Sequence, residues 1–139
     1  MGALHLDIVT PERRLVSEIV DEVVLPGSEG YLGVLPGHAP LLTSLGIGYV
    51  MHRREGTRHW LALAGGFAEV LPDRVTILAD ISERADAIDR ARAEQARDRA
   101  LSRLRDRPPG TDFERAQIAL MKSLIRLQIS HGTGPNEPS

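Results

Sequence analysis

The chain contains no cysteine, which removes disulfides, zinc–thiolate sites and thiol catalysis together. No apolar run approaches the roughly 18 residues that span a bilayer, and the N-terminus lacks a basic-then-apolar signal. Association with a membrane is therefore expected only indirectly, through a partner. Aromatic residues make up 4% of the chain, so its core must be built mainly from Val, Ile, Leu and Ala. Lysine is almost missing as well: of the 17 Lys plus Arg residues, only Lys122 is a lysine.

Catalytic patterns are also lacking. No Ser or Thr lies in a nucleophile elbow, and there is no Walker-type loop to cradle a transferred phosphate. The five histidines, at 5, 38, 52, 59 and 131, show neither metal-ligand spacing nor an H-E-x-x-H pattern. His38 lies in a loop rich in Gly and Pro, where it can act as a base or simply hydrogen-bond backbone. No active site and no metal site are expected on this chain, and no nucleic-acid partner.

What is present is an uneven charge distribution. Residues 1–83 carry 6 Arg against 11 Asp plus Glu, a balance of −5. Residues 84–139 carry 10 Arg and 1 Lys against 8 acids, or +3, and the two sum to the overall −2. A basic second part points to an acidic partner or a phosphate, or to solvated helix faces.

Local pattern divides the chain at the same place. Leu4 to Ile8 alternates apolar with polar, as a half-buried strand does, and Pro11 ends it. Arg14 to Ser17 reads as a short extended piece, and Val20 to Leu25 as a strand stopped by Pro26-Gly27. From Gly30 to Pro40, Gly and Pro interleave with Tyr31, Leu32, Val34, Leu35 and His38, which reads as a tightly shaped loop. Strand signals resume at Ile47–His52, His59–Ala64, Phe67–Leu71 and Val75–Ala79. Arg54 to Thr57 and Pro72-Asp73 form the turns, and Gly65-Gly66 a bend or bulge. Many short strands at this spacing predict an antiparallel sandwich or barrel.

From Asp86 to about Arg105 nothing breaks a helix, and Asp86 is the expected N-cap. Pro108-Pro109-Gly110 stops it, and Thr111 or Asp112 starts a second helix running to about Ser130. The short connection predicts an antiparallel helical hairpin. The fold class is therefore α+β, with a sandwich over 1–83, a hairpin over 84–131 and a disordered tail over 132–139. Arg115, Lys122 and Arg126 form one stripe on the second helix, at about 100° per residue. Its apolar residues cover more than one narrow face, so it needs both the first helix and either the sandwich or another subunit.

The junction from Ile81 to Ala93 concentrates opposite charges. Asp89 and Arg92 are three apart and share a helix side, with Arg99 two turns on. Guanidinium groups match phosphate oxygens, and a carboxylate accepts from an adenine amino group or a ribose hydroxyl. Lys122 and Arg126 close such a site if the hairpin folds back. On composition alone, capping and ordinary i,i+3 ion pairing are the favoured account of the same residues.

Taken together the segments resemble the epsilon subunit of the F-type ATP synthase. The resemblance runs from about Leu4 to Ile129, through the loop Leu25–Leu42, then Ala64–Val70 and Val75–Asp80 in order. It implies a sandwich of about ten strands and a hairpin. The role implied is a non-catalytic central-stalk subunit bound to gamma and seated on the c-subunit ring. Tyr31 and His38 then match ring-facing positions. The hairpin is implied to regulate ATP hydrolysis, lying down on the sandwich or extending so that Arg115, Lys122 and Arg126 meet an acidic segment of a beta subunit, near alpha.

Some bacterial members bind ATP as a regulatory ligand through I/L-D-x-x-R-A, which Ile88–Ala93 fits at every specified position. Glu83, Arg99 and Arg126 fall at matching ligand positions, and Lys122 stands where Arg is the pattern. No cofactor is required. The implied location is the cytoplasmic face of the bacterial plasma membrane. The alternative reading is a free-standing ATP-sensing module with the same fold.

Overall fold

Seven strands share one hydrogen-bonded sheet in the computed structural model, which describes residues 2–130. They are β1 (Leu4–Val9), β2 (Arg14–Val20), β3 (Glu22–Gly27), β4 (Gly30–Val34), β5 (Leu41–Arg54), β6 (Thr57–Leu71) and β7 (Arg74–Arg84). A 3-10 turn at Ala85–Ala87 leads into α1 (Arg90–Asp106) and α2 (Phe113–Ile129). The expected tail over 132–139 lies outside the described residues. Strand order across the sheet is β2-β1-β7-β6-β5-β3-β4. Three strands separate β2 from β5 in that order, yet the two approach each other. The sheet therefore curls into two facing layers, a sandwich.

Alternation fills its interior. Leu4, Leu6 and Ile8 of β1 point inward, as do Val23 and Leu25, Leu61 and Leu63, and Val75 and Ile77. All pairings are antiparallel except β1 with β7, which run parallel. The all-antiparallel expectation fails at that pair, because β1 and β7 are joined through the rest of the sandwich and not by a hairpin.

The strand count is seven where ten were expected, and glycine explains much of the difference. Gly65 and Gly66 hold φ of +80° and +132° and bend β6 without ending it. Pairing with β5 skips from Ile47↔Ala64 to Leu45↔Gly66. The inward set changes parity across the skip, from Leu61 and Leu63 to Ala68 and Val70. A Cβ on Gly66 would run into the Leu78 carbonyl oxygen, so only glycine lets β6 stay continuous here. Two further boundaries move. The Gly/Pro loop contains β4, whose Val34 is fully buried, and Val20 belongs to β2 and not to the strand that follows Asp21.

Helix α1 starts three residues later than the sequence pattern indicates. Asp86 lies inside the 3-10 turn, and Asp89 is the N-cap, its Oδ1 accepting from the Arg92 amide at 3.1 Å. Asp112 caps α2 in the same way, accepting from the Arg115 amide at 3.0 Å. Between the helices, Arg107 takes a left-handed φ of 47° and its amide bonds back to Arg103, the work glycine usually does at a helix end.

The helices meet along a seam of small residues. Ala93 and Ala100 of α1 and Ala116 and Ser123 of α2 are all buried, each pair seven apart, so one stripe of each helix faces the other. The hairpin lies folded down on the sheet through α2, which contacts β5 and β6. Ile129, fully buried, packs there with Met51, Trp60 and Ala62, flanked by Ile125, Tyr49 and Ile88. Both faces of β6 are thus used along one stretch: Leu61 and Leu63 toward the sandwich interior, Trp60 and Ala62 beneath α2.

Candidate functional site

A cleft of about 370 Å³ runs between the sheet and α2. Ala62, Ala64 and Ile81 supply apolar wall from the strands, Ile125 from the helix, and Arg13, Glu83, Lys122 and Arg126 the charges. The strand and helix periods bring these charges together. Arg13 comes from the turn between β1 and β2 and Glu83 sits near the end of β7, while Lys122 and Arg126, four apart, project from one side of α2. Arg126 Nε donates to Glu83 Oε1 at 2.8 Å, with both side chains about one-third exposed. Lys122 forms no ion pair among the described residues and leaves a positive charge at the cleft. Ser82 Oγ donates to the Ala62 carbonyl at 2.9 Å, pinning the C-terminal part of β7 to β6. Sequence pattern alone did not single out Ser82; its place across from Leu63 in the ladder does.

The remaining positions singled out from the junction separate from this cleft. Asp89 is engaged as the α1 cap. Arg92 and Arg99 are exposed on α1 and stand outside the lining. Arg115 is exposed at the far end of α2, beside the inter-helix turn. The stripe of Arg115, Lys122 and Arg126 is continuous on the helix, but only its last two members reach the sheet.

Tyr31 is half exposed, stacked on Tyr49 with centroids 4.4 Å apart. Its hydroxyl accepts from the Tyr49 amide at 3.1 Å, and burial raises the phenol pKa. His38 Nδ1 donates to the Ala39 carbonyl at 2.7 Å, the backbone-bonding alternative. Its loop is tied down by the Gly37 amide to the Pro72 carbonyl, 2.7 Å, which joins it to the β6–β7 turn. His5 Nε2 lies near both Asp7 Oδ2, at 3.2 Å, and Ser17 Oγ, at 3.5 Å. A single ring nitrogen facing both groups does not make a proton relay, which needs one on each side.

This geometry defines a class first: a β-sandwich whose C-terminal helical hairpin is held by contacts with one sheet face. Residues 3–85 match the model of the ATP synthase delta/epsilon chain β-sandwich domain. Residues 86–131 match its long alpha-helix domain. The chain belongs to the ATP synthase delta/epsilon chain family and is thus a subunit of an ATPase complex. It is 50% identical to the ATP synthase epsilon chain of Moorella thermoacetica, over 94% of this chain and 98% of that one. Identity to the epsilon chain of Herpetosiphon aurantiacus is 51%, over 91% and 93%. A chain in the Euglena gracilis mitochondrial ATP synthase, solved as OSCP/F1/c-ring, shares the fold with a TM-score of 0.75 at 22% identity. That match covers 87% of this chain and 77% of the other.

Proposed function

We propose that this chain is a non-catalytic central-stalk subunit of a proton-translocating F-type ATP synthase. Its sandwich binds the gamma subunit and the c ring, and its hairpin regulates ATP hydrolysis near the alpha and beta subunits, with ATP as a ligand of the folded-down state. Chemistry resides elsewhere in the complex, and the chain sits peripherally at the cytoplasmic face of the membrane. No helix among the described residues is long and apolar enough to cross a membrane, so attachment runs through its partners. The family supports the stalk role, and so does an apolar strip on the outer sheet face. There Phe67 and Leu78 lie side by side across the β6–β7 ladder, 59% and 56% exposed. Leu42, 73% exposed, extends the strip on β5 and gives gamma a surface to bury. Tyr31 and the anchored loop of His38 form the ring-facing end.

The observation carrying the ATP reading is the convergence of Glu83, Lys122 and Arg126 in one cleft between parts that separate when the hairpin extends. Its volume falls in the range that holds small ligands, about 300–1,000 Å³. Lys122 and Arg126 neutralise phosphate oxygens, and Glu83 accepts from the base or the ribose. Asp89 orders the start of α1, from which Arg92 and Arg99 close over the ligand. In the extended state Arg115, Lys122 and Arg126 face the acidic segment of beta. The test is a calorimetric titration of the isolated chain with ATP. Lys122→Ala and Arg126→Ala weaken binding about tenfold or more, and Arg92→Ala less. Unchanged affinity in all three variants excludes this cleft.

A truncation separates the two parts. Since β7 runs to Arg84, the cut belongs after Arg84. A chain ending there retains gamma binding and loses inhibition; full inhibition would refute the regulatory role of the hairpin.

A further inference from the structure

Two positive charges in the cleft between the sheet and α2 are left unbalanced. Arg126 is matched by Glu83 at 2.8 Å, and Glu83 is the only acidic residue among the described lining. Arg13 and Lys122 line the same cleft, and neither forms an ion pair among the described residues. They come from opposite parts of the molecule: Lys122 from α2, Arg13 from the turn that joins β1 to β2. Like charges converging on one cleft repel each other, and their summed field is focused on a counter-ion that enters it.

The parallel strand pair sets the place of Arg13. β1 runs beside β7 in the same direction, from His5↔Arg74 to Val9↔Leu78. There β1 ends, and its turn to β2 points the way β7 continues, toward Ile81, Ser82 and Glu83 in the cleft wall. The turn is closed twice. The Thr10 amide donates to the Arg13 carbonyl at 2.9 Å, and the Arg13 amide donates to Thr10 Oγ1 at 3.3 Å. Thr10 is buried, so the backbone of Arg13 is held while its side chain stays exposed. A cation on a fixed base loses less freedom on gripping a ligand than one on a mobile loop. The next residue supplies a contrast: Arg14 lies 3.8 Å from Asp7 and stands outside the lining.

We propose that Arg13 is a third phosphate-binding residue of this cleft, gripping the ligand from the sandwich while Lys122 and Arg126 hold it from α2. The inference rests on the ATP reading of the cleft and adds how that ligand acts. Every other cation in the lining belongs to α2, so Arg13 is what lets the phosphates tie the helix to the sandwich. A guanidinium fork suits that task, since it meets two phosphate oxygens at once. A ligand bridged in this way stabilises the folded-down hairpin by mass action.

The full chain and its Arg13→Gln, Arg14→Gln and Lys122→Ala variants are titrated calorimetrically with ATP and with inorganic tripolyphosphate, at constant ionic strength. Arg13→Gln is expected to weaken both ligands about five- to tenfold. Arg14→Gln makes the same charge change one residue along and leaves both affinities unchanged. At one fixed ATP concentration, the amides of α2 exchange faster in Arg13→Gln than in the unaltered chain. Equal losses in Arg13→Gln and Arg14→Gln overturn the role of Arg13, because they show only bulk charge. So does an unchanged affinity in Arg13→Gln while Lys122→Ala loses it, and that result leaves the ATP cleft standing. Tripolyphosphate that binds as tightly as ATP, and through Arg13, keeps the proposal and removes the nucleotide reading instead. An unaltered chain that binds neither ligand overturns both.

Discussion

The two halves of this protein are stabilised in different ways. The sandwich closes on itself: its interior is a continuous set of branched apolar residues, from Leu4 and Ile8 to Val75 and Ile77, fully buried. The hairpin does not. Its two helices meet through Ala93, Ala100, Ala116 and Ser123, which bury little area each, and its larger anchors, Ile125 and Ile129, rest on the sandwich. Met121 and Leu124 remain about half exposed. A part stabilised mainly by a neighbour can leave it at moderate cost, whereas a closed core cannot. The difference suits a rigid coupling part joined to a movable one.

Four perturbations break or sharpen that contrast. Leu6→Ala removes a fully buried side chain and is expected to destabilise the sandwich by about 4 kcal/mol, within the range for such truncations. Chemical denaturation read by β-sheet circular dichroism checks it. Acidification acts through His52. Its folded pKa of about 4 lies below the ordinary 6.5, so between those values the unfolded chain binds more protons and stability falls as pH falls. The loss begins below pH 6.5, is complete below about 4, and reaches at most about 3–4 kcal/mol at about 1.4 kcal/mol per unit. His52→Phe should flatten that part of the pH–stability curve.

Ile129→Ala acts on the docking of the hairpin alone. It is expected to cost about 2 kcal/mol, seen as faster amide exchange in α1 and α2 with β1 and β7 unaffected. If the sheet exchanges faster too, the two parts unfold together and the contrast fails. Asp89→Ala removes one cap and should cost about 1 kcal/mol, confined to the first turn of α1. That variant also separates two roles. A cap alone leaves ATP affinity nearly unchanged, while a ligand contact lowers it sharply.

Most of the elements were legible because their signals are local. Period-2 alternation at Leu4–Ile8, the Glu55-Gly56 turn and the Pro108–Gly110 stop each depend on neighbouring residues. Glu55 and Gly56 take φ of 52° and 80°, as a two-residue hairpin turn demands. Boundaries failed where the deciding partner was distant. The strand Gly30–Val34 was hidden by its glycines and is defined by pairing with β3. The continuity of β6 through Gly65-Gly66 depends on β5 and β7 holding both sides of the bend. Asp86 and Asp89 are equally good caps by type, and the 3-10 turn at Ala85–Ala87, packed against β6, selects Asp89.

The site divides along the same line. Lys122 and Arg126 could be named from helix periodicity, and Glu83 from the resemblance. That they share a cleft while Arg92 and Arg99 lie outside it follows from how α2 lies across β5 and β6.

By itself, the sequence determined the class: a strand-rich acidic part, a junction and a basic helical pair, since periodicity, turn chemistry and charge are written in consecutive residues. Tertiary structure alone decided the parallel β1–β7 pair, the parity change in β6, the resting of α2 on the sheet and the cleft beside it. Those depend on contacts between residues tens of positions apart, whose energies no local pattern contains.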